Sequence, residues 1–461
     1  MEYTYISSFI NEEFEFEGAH CFSNNDRAFL LSKNGTSIVL SKTLFDSLIQ
    51  KKPIESLMFK LYQRGFGRVY KNERFDLKQS IIKPTLFMID FTTKCNCNCI
   101  YCLRHFEDVG ESITLDNLTQ ITNYIIGYCQ KYDIKEVSFQ PWGGEPLIEI
   151  DKIIYCKKLF DEAGIDAHFN IQTNGLLLTV ANYRKLIANN ISVGVSIDGI
   201  DEVHDAHRLD VKGEKTHKKI VKNLKEIQSE FPNFNLGSLS VNSLYSINSI
   251  DQNISYLIEE LGFQNIKFNL VHPSGSEDFD ENILIKNEDI EKFVEKILCS
   301  VIKQVEKDNK CNEANISDKL LNILDRSSNN ICNSLGCRGG YSFISFDREG
   351  NIFPCEMIGR SDFSLGNVKD NPDLIDAIKK AKDNNLYYKE RCLDSCKNCP
   401  YLIFCGGGCK ASCLSYGKNC SDIDEIECKI NKVLYPKLIE LVLEKPELIT
   451  KILDYRVEII K

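Results

Sequence analysis

The sequence has no run approaching the roughly 20 apolar residues that a bilayer-crossing helix needs. Its N-terminus, MEYTYISSFINEEFEFEG, lacks the basic-then-apolar pattern of a secretion signal. These absences point to the cytosol and to no membrane partner. A basic surface is lacking as well. The formal net charge is −10, which argues against nucleic acid as main partner, because phosphate binding needs positive charge. Acidity of this size suits a basic or neutral peptide, though it mostly serves solubility. No internal repeat or low-complexity tract is evident.

What is present is core-forming material and sulfur. With 461 residues, 43% of them hydrophobic, the chain is expected to form two to four domains. It carries 20 cysteines. Disulfides are rare in the cytosol, so clustered cysteines there point to metal ligation or chemistry. Four lie between 95 and 102, and eight between 392 and 428, far denser than core packing would produce. Zinc and iron–sulfur clusters are the two candidates.

Three regions can be read from the pattern. In residues 1–80, Ala28–Leu31 and Ile38–Leu40 flank Asn34-Gly35, a hairpin turn signal. Ser41 is placed to cap a helix over Leu44, Phe45, Leu48 and Ile49, and Pro53 opens a second helix that Gly65 stops. This is a winged-helix-like pattern. From 84 to about 272 strands and helices alternate. The strands are expected at Leu86–Phe91, Glu136–Phe139, Ala167–Gln172, Ser192–Ile197, Leu236–Val241 and Ile266–Leu270. Six βα units imply an α/β fold with a parallel sheet, curved into a partial barrel or doubly wound, with chemistry at the C-terminal strand ends. Residues 276–330 read as polar helices with solvated charge runs. Residues 332–428 are rich in Cys and Gly with little helical periodicity, and an amphipathic helix follows.

The first cysteine group, FTTKCNCNCIYC, directly follows the first strand. Cys95, Cys99 and Cys102 read as CxxxCxxC, and Cys97 offers no such phase. Three thiolates on one loop can ligate three irons of a cubane and leave the fourth iron open to chelate S-adenosylmethionine (SAM). A zinc loop or reactive surface thiols are the plain alternatives, but three cysteines lack a fourth ligand for a closed structural zinc site.

CxxxCxxC after strand one, with Tyr101 just before the third cysteine, resembles the radical SAM superfamily. The resemblance implies a partial (β/α)6 barrel and places Tyr101 near the adenine. Gly143-Gly144-Glu145-Pro146, ending strand two, resembles the GGEP motif, whose backbone and Glu bind the SAM amino group. Glycine there would allow close backbone approach to the ligand. Thr173 and Asn174 at the third strand end, and Ser196 and Asp198 at the fourth, resemble ribose and carboxylate contacts. Arg208 is a candidate partner for a carboxylate of SAM or substrate. Loop Asn, Ser and Asp residues also commonly just cap helices.

Cys337, Gly350 and Cys355, then Cys396, Cys399, Cys405 and Cys409, then Cys428, follow in order the seven-cysteine pattern of SPASM domains. The resemblance implies two auxiliary clusters: Cys337, Cys355 and Cys409 with Cys332 as fourth ligand for one, and Cys396, Cys399, Cys405 and Cys428 for the other. Zinc ribbons are the alternative for such CxxC pairs. Cys21, Cys129, Cys156, Cys299 and Cys311 read as small core residues.

Five segments are expected. They are a winged-helix-like precursor-recognition unit (1–80), the barrel (81–300), a helical linker (301–331), the Cys-rich SPASM domain (332–430) and a C-terminal helix (431–461). An N-terminal unit ahead of such a core is similar to the leader-binding element of peptide maturases, which would take the leader as an added strand. The implied function is a radical SAM peptide maturase using SAM and three 4Fe–4S clusters. It would form thioether crosslinks in a Cys-rich precursor peptide and draw electrons from a flavodoxin or ferredoxin. The alternatives are an anaerobic sulfatase-maturating (formylglycine-generating) enzyme, a carbon–carbon crosslinking maturase and, outside enzymes, an iron–sulfur electron carrier. No general base is readable from the residues alone.

Overall fold

The structure is a computed structural model. It describes residues 1–10, 14–69, 82–102, 110–233, 236–272, 281–308, 311–324, 337–359, 361–388, 394–415, 419–453 and 457–461. Cys332, expected as a cluster ligand, lies outside the described residues, as does Cys392.

The N-terminal unit comprises β1 (Glu2–Ile6), β2 (Phe9–Ile10), β3 (Phe14–Phe16), β4 (Ala19–Ser23), β5 (Arg27–Ser32), β6 (Ser37–Ser41), α1 (Lys42–Ile49), α2 (Glu55–Gln63) and β7 (Gly67–Val69). The β5–β6 hairpin turns at Asn34-Gly35, with Gly35 at φ 78°. Ser41 sits at the start of α1, but its side chain makes no capping bond. The unit holds more strands than the expected hairpin, because the alternation in Glu2–Ile6 is weak and four of those five residues are exposed. Phe14, Phe16, Leu30, Leu40, Leu48, Leu57, Leu61 and Phe66 form its own core.

The central layer follows in chain order. It contains β8 (Leu86–Thr92), β9 (Cys97–Cys99), α3 (Leu115–Lys131), β10 (Glu136–Gly143), α4 (Ile150–Glu162), β11 (Asp166–Thr173), α5 (Val180–Ala188) and β12 (Ser192–Ser196). It continues with α6 (Asp201–His207), β13 (Arg208–Asp210), α7 (His217–Glu230), β14 (Gly237–Asn242), α8 (Ile250–Ser255) and β15 (Asn265–Leu270). Strands β8, β10, β11, β12, β14 and β15 pair in that order, all parallel. This is the partial (β/α)6 barrel. Alternate residues of β11 are buried, and Phe139 stacks on Phe169 with ring centroids 4.3 Å apart. Thr114 and Thr179 cap α3 and α5 by accepting from Asn117 N and Asn182 N.

The C-terminal half adds α9 (Asp289–Asp308), α10 (Ala314–Leu324), β16 (Phe343–Phe346), β17 (Asn351–Phe353), β18 (Gly366–Asn367), α11 (Leu374–Asn384), α12 (Leu402–Cys405), α13 (Lys410–Ser415), α14 (Glu425–Glu444), α15 (Pro446–Leu453) and β19 (Ile459–Ile460). Here the structure corrects the expected divisions. A boundary at 300 would cut α9, whose apolar face from Ile290 to Val305 is buried without a break. The Cys-rich segment is not an isolated domain. Its strand β16 pairs in parallel with the open side of β8, extending the sheet to nine strands. The C-terminal segment is not one helix, since β19 returns to pair in parallel with β6. Glu458 also pairs with Lys60 of α2 and with Arg64 just past its end, at 3.3 and 3.2 Å. Phe22 of β4 stacks on Tyr401, at 5.9 Å between centroids. The N-terminal unit is thus anchored to both the Cys-rich segment and the chain's last strand. Among the described residues, no helix is long and apolar enough to cross a membrane.

Candidate active site

A cavity of about 570 Å³ lies at the C-terminal ends of the six parallel strands, facing the Cys-rich segment. One wall carries Cys95, Cys97, Cys99 and Cys102, and the other carries Cys337, Cys355 and Cys409. Between them lie the strand ends: Gly143, Gly144 and Pro146 at the end of β10, Thr173 and Asn174 at the end of β11, Ser196 of β12, and Phe268 to His272 at the end of β15 and just beyond it.

The first cysteine loop is held by its backbone. Strand β9 pairs antiparallel with β13, setting Arg208 opposite Cys99 and Asp210 opposite Cys97. Arg208 Nη1 points at Cys99 Sγ, 3.8 Å away, and Asn174 Nδ2 at Cys95 Sγ, also 3.8 Å away. Asn174 Nδ2 also donates to Asn96 Oδ1 at 2.7 Å. A hydrogen bond from Cys97 and the Arg208 charge hold the Cys99 thiol low. Burial pushes Cys95 up to about 12. A thiol in that condition becomes a thiolate when a metal takes it, not by contact with solvent.

The GGEP segment serves this loop directly. Gly144 N donates to Thr92 O at 2.7 Å and Glu145 N to Lys94 O at 2.9 Å. A Cβ on Gly143 would lie 2.2 Å from Thr92 O, and one on Gly144 2.2 Å from Lys94 O. These glycines are therefore required by close approach to the cysteine loop's own backbone. The sequence reading set Glu145 against the ligand. In the structure its carboxyl is buried and turned into the protein. Oε1 accepts from Leu147 N and Thr173 Oγ1, at 3.0 and 2.7 Å, and Oε2 from Asn174 N at 2.8 Å. Burial raises its pKa. Glu145 thus joins the second and third strand ends and positions Thr173 and Asn174.

The Asp198 carboxylate, at the fourth strand end, is likewise fully buried. Oδ2 accepts from Tyr101 Oη (2.7 Å), Arg208 Nε (3.0 Å) and His207 Nδ1 (3.1 Å), and Oδ1 from Val241 N (3.0 Å). Burial pushes this carboxyl up, but Arg208 and His207 outweigh it and hold it well below the usual range. The guanidinium lies 5.1 Å over the Tyr101 ring. Tyr101 and Arg208, both lining the cavity, are fixed by this one carboxylate. Ser196 also lines the cavity, and its hydroxyl accepts from Gln172 Nε2 at 3.0 Å.

On the opposite wall, Tyr387 Oη is 3.1 Å from Cys337 Sγ. Burial drives the Cys355 thiol well above its ordinary value, with Glu356, Cys337 and Cys409 adding to it. Cys428 lies in the field of Cys396 and Cys399. Cys405 has Glu427, Asn431 and Lys319 as neighbours. Lys319 corrects the expectation of a solvated linker: it is buried, and its Nζ donates to Glu427 Oε1 (2.9 Å) and Asn431 Oδ1 (2.6 Å).

The first wall suits an iron–sulfur cluster. Its donor set is thiols with a guanidinium aimed at Cys99 sulfur and an amide aimed at Cys95 sulfur. Among the described residues, no three His, Cys, Asp or Glu side chains converge on a position for a single ion. A cubane takes one thiolate per iron and needs no such convergence.

Several cavity residues escaped the sequence reading. Gln172 precedes a residue that was selected. Glu356 follows Cys355, whose Sγ donates to its Oε2 at 3.4 Å. Glu313 caps α10 through Ile316 N (2.7 Å) and accepts from Phe268 N (3.2 Å), and burial raises it to about 7. His272 stands two residues past β15, where the strand-end rule would have found it.

Residues 89–293 match the Radical SAM superfamily. Over 391 residues the chain is 24% identical to a cysteine-type anaerobic sulfatase-maturating enzyme of Clostridium novyi (strain NT), covering 82% of this chain and 98% of the relative. A solved structure of native anSMEcpe with bound AdoMet and Cp18Cys peptide superimposes with TM-score 0.66 at 20% identity, covering 78% of this chain and 99% of that one. Streptococcus suis SuiB bound to precursor peptide SuiA superimposes with TM-score 0.54 at 15% identity, covering 88% and 99%.

Proposed function

We propose that this chain, an enzyme whose residues 89–293 form a radical SAM domain, is a maturase that oxidises a cysteine-bearing ribosomal peptide to a thioether. The observation that carries the reading is the shared cavity, with Cys95, Cys99 and Cys102 on one wall and Cys337, Cys355 and Cys409 on the other. SAM, when bound and reduced at a 4Fe–4S cluster, supplies a 5′-deoxyadenosyl radical that removes a hydrogen atom from a substrate carbon. The chain's own residues do the rest. Cys95, Cys99 and Cys102 hold that cluster beside Arg208 and Asn174. Tyr101, Gly143, Gly144, Pro146, Thr173, Asn174, Ser196 and Arg208 shape the SAM pocket, with Glu145 and Asp198 positioning them.

In this reading the Cys-rich segment is a SPASM domain. Cys337, Cys355 and Cys409, with Cys332, hold one auxiliary cluster, and Cys396, Cys399, Cys405 and Cys428 the other, making three clusters in all. Loaded with iron and sulfide, the first of these sites would supply an acceptor for the electron that substrate oxidation releases. A flavodoxin or ferredoxin supplies reducing electrons in the cytosol, and neither nucleic acid nor membrane is a partner.

The N-terminal unit receives the leader of the precursor as an added strand. Deleting residues 1–75 should weaken precursor binding, measured by fluorescence anisotropy, while uncoupled SAM cleavage continues; unchanged affinity would refute leader recognition.

The sulfatase-maturating relative favours a second reading, oxidation of a cysteine to formylglycine. Mass spectrometry of the reacted peptide separates the chemistries. A thioether loses two hydrogens and its alkylatable thiol. A carbon–carbon crosslink loses two hydrogens and keeps the thiol. Formylglycine loses the sulfur.

A further inference from the structure

We propose that the outer face of the β9–β13 ribbon, with the lysines that follow it, is the docking surface of an acidic one-electron carrier protein that reduces the site of Cys95, Cys99 and Cys102. The inference rests on the SAM-cleaving reading of that site and not on which peptide product forms.

The ribbon has two unlike faces. Residues paired across an antiparallel ladder share a face, and successive residues alternate between faces. Cys99 is paired with Arg208 and Cys97 with Asp210, and Cys97, Cys99 and Arg208 line the cavity. The opposite face carries Asn98 and its partner Leu209. Ile100 N donates to His207 O at 2.9 Å and Val211 N to Asn96 O at 3.3 Å, which extends this outer face at both ends. Ile100 is 40% exposed and Val211 62%. Asn98 is exposed and Leu209 half-buried. A single strand therefore separates the thiol face from an apolar outer surface. Residues 103–109 lie outside the described residues, and none of them is counted in this surface.

Positive charge gathers beside it. Residues 211–225 hold six lysines and one acid, Glu214, in a chain of formal net charge −10. Lys215 bridges to Leu209, which places it on the ribbon's outer face. Lys212 sits in the turn between them, where Asp210 Oδ1 accepts from Lys212 N and Glu214 N at 2.8 Å each. Hydrogen bonds from these two amides, with the charges of Lys212 and Lys219, hold the Asp210 carboxyl low. On α7, Ile220, Leu224 and Ile227 face inward, and Lys218, Lys222 and Lys225 form an exposed stripe. Lys222 pairs with Glu226 at 3.7 Å.

An apolar centre with a charged rim is the anatomy of a protein interface, and complementary charge steers the small, transient contacts typical of electron transfer. The occupant follows from which way the surface looks. A substrate peptide must reach the cavity, which the ribbon's inner face lines. A carrier need only reach the ribbon's back, and six lysines select an acidic one. In the step, the carrier loses one electron and the cluster site gains one, with no bond or proton moved. That electron is the one SAM cleavage consumes.

The test uses the cluster-loaded full-length protein, an acidic recombinant flavodoxin as probe, and dithionite as a reductant that needs no docking surface. For Lys212→Glu/Lys215→Glu, flavodoxin affinity by low-salt isothermal titration calorimetry should weaken about tenfold. Formation of 5′-deoxyadenosine driven by limiting photoreduced flavodoxin should fall with it, while dithionite-driven formation stays at the wild-type level. Lys379→Glu/Lys380→Glu, the same change of charge on α11, should alter neither. Added salt should weaken the wild type toward the ribbon variant. Unchanged flavodoxin affinity in the ribbon variant overturns the proposal. So does an equal loss in the α11 variant, which would leave only net charge. Loss of dithionite-driven product would make these lysines part of the SAM site's framework and also overturns it. Weakened binding of an acidic peptide, with flavodoxin binding intact, would make the face a peptide site instead. A wild type that cleaves SAM with dithionite but binds neither flavodoxin nor an acidic ferredoxin overturns this proposal alone. A wild type with intact clusters that cleaves no SAM overturns the reading beneath it.

Discussion

Replacing Asp198 with Asn should destabilise the protein by about 3–5 kcal/mol, because it leaves the Arg208 guanidinium as an uncompensated buried charge. Asp198 is fully buried and Arg208 is 6% exposed. Three donors meet at Asp198 Oδ2, and an Asn amide presents one fewer acceptor and two more hydrogens. The acid limb adds a signature. A carboxyl held below its usual value contributes stability that is present above the ordinary pKa of about 3.9 and is lost as pH falls. The variant should therefore lose less than wild type below about pH 4. Anaerobic urea unfolding of cluster-loaded protein, followed by circular dichroism, measures both effects. In Asp198→Asn/Arg208→Met the guanidinium is gone from this site, so the double variant should be more stable than the sum of the single losses by more than 1 kcal/mol. A cost under 1 kcal/mol for Asp198→Asn, or strict additivity, would refute the network's role.

Gly144→Ala should displace the cysteine loop, because the new methyl meets backbone at Lys94. Iron bound at the first cysteine group should fall, whereas Gly127→Ala in α3, which meets nothing within 4 Å, should stabilise by up to about 1 kcal/mol. Equal iron content in both variants would contradict the close-approach argument. Glu313 predicts the opposite pH dependence from Asp198. Its carboxyl is raised from 4.5 to about 7, so the unfolded chain ionises first and stability falls as pH rises through this window, by about 3 kcal/mol at most. Glu313→Gln should remove that slope, and unfolding midpoints between pH 4.5 and 8 check it.

The barrel was legible because its signals are local. The helices expected at Leu115–Lys131 and Val180–Ala188 are those observed. The strands expected at Leu86, Glu136 and Ser192 begin at those residues, and the other three begin within one residue of the expected start. The addition of β16 to β8 and the return of β19 to β6 were not legible. Both are parallel pairings between distant segments, which leave no trace in a local window. In the site, residue identity and strand position could be read, but side-chain direction could not. Glu145 and Asp198 occupy the expected loops, yet their carboxylates accept hydrogen bonds from the protein because burial without partners would be too costly. The same bias hid Lys319, whose charge suggested a wet face and whose partners, Glu427 and Asn431, lie a hundred residues away.

The central claim is that Cys95, Cys99 and Cys102 form the SAM-cleaving centre, separate from the Cys-rich segment's own iron. The most direct measurement is 5′-deoxyadenosine formation and bound iron in the reduced, cluster-loaded protein and in its Cys95→Ala/Cys99→Ala/Cys102→Ala variant. The account predicts product from the wild type, and no product from the variant with its remaining iron and EPR signals intact. Product from the variant, or none from a wild type with intact clusters, would contradict it.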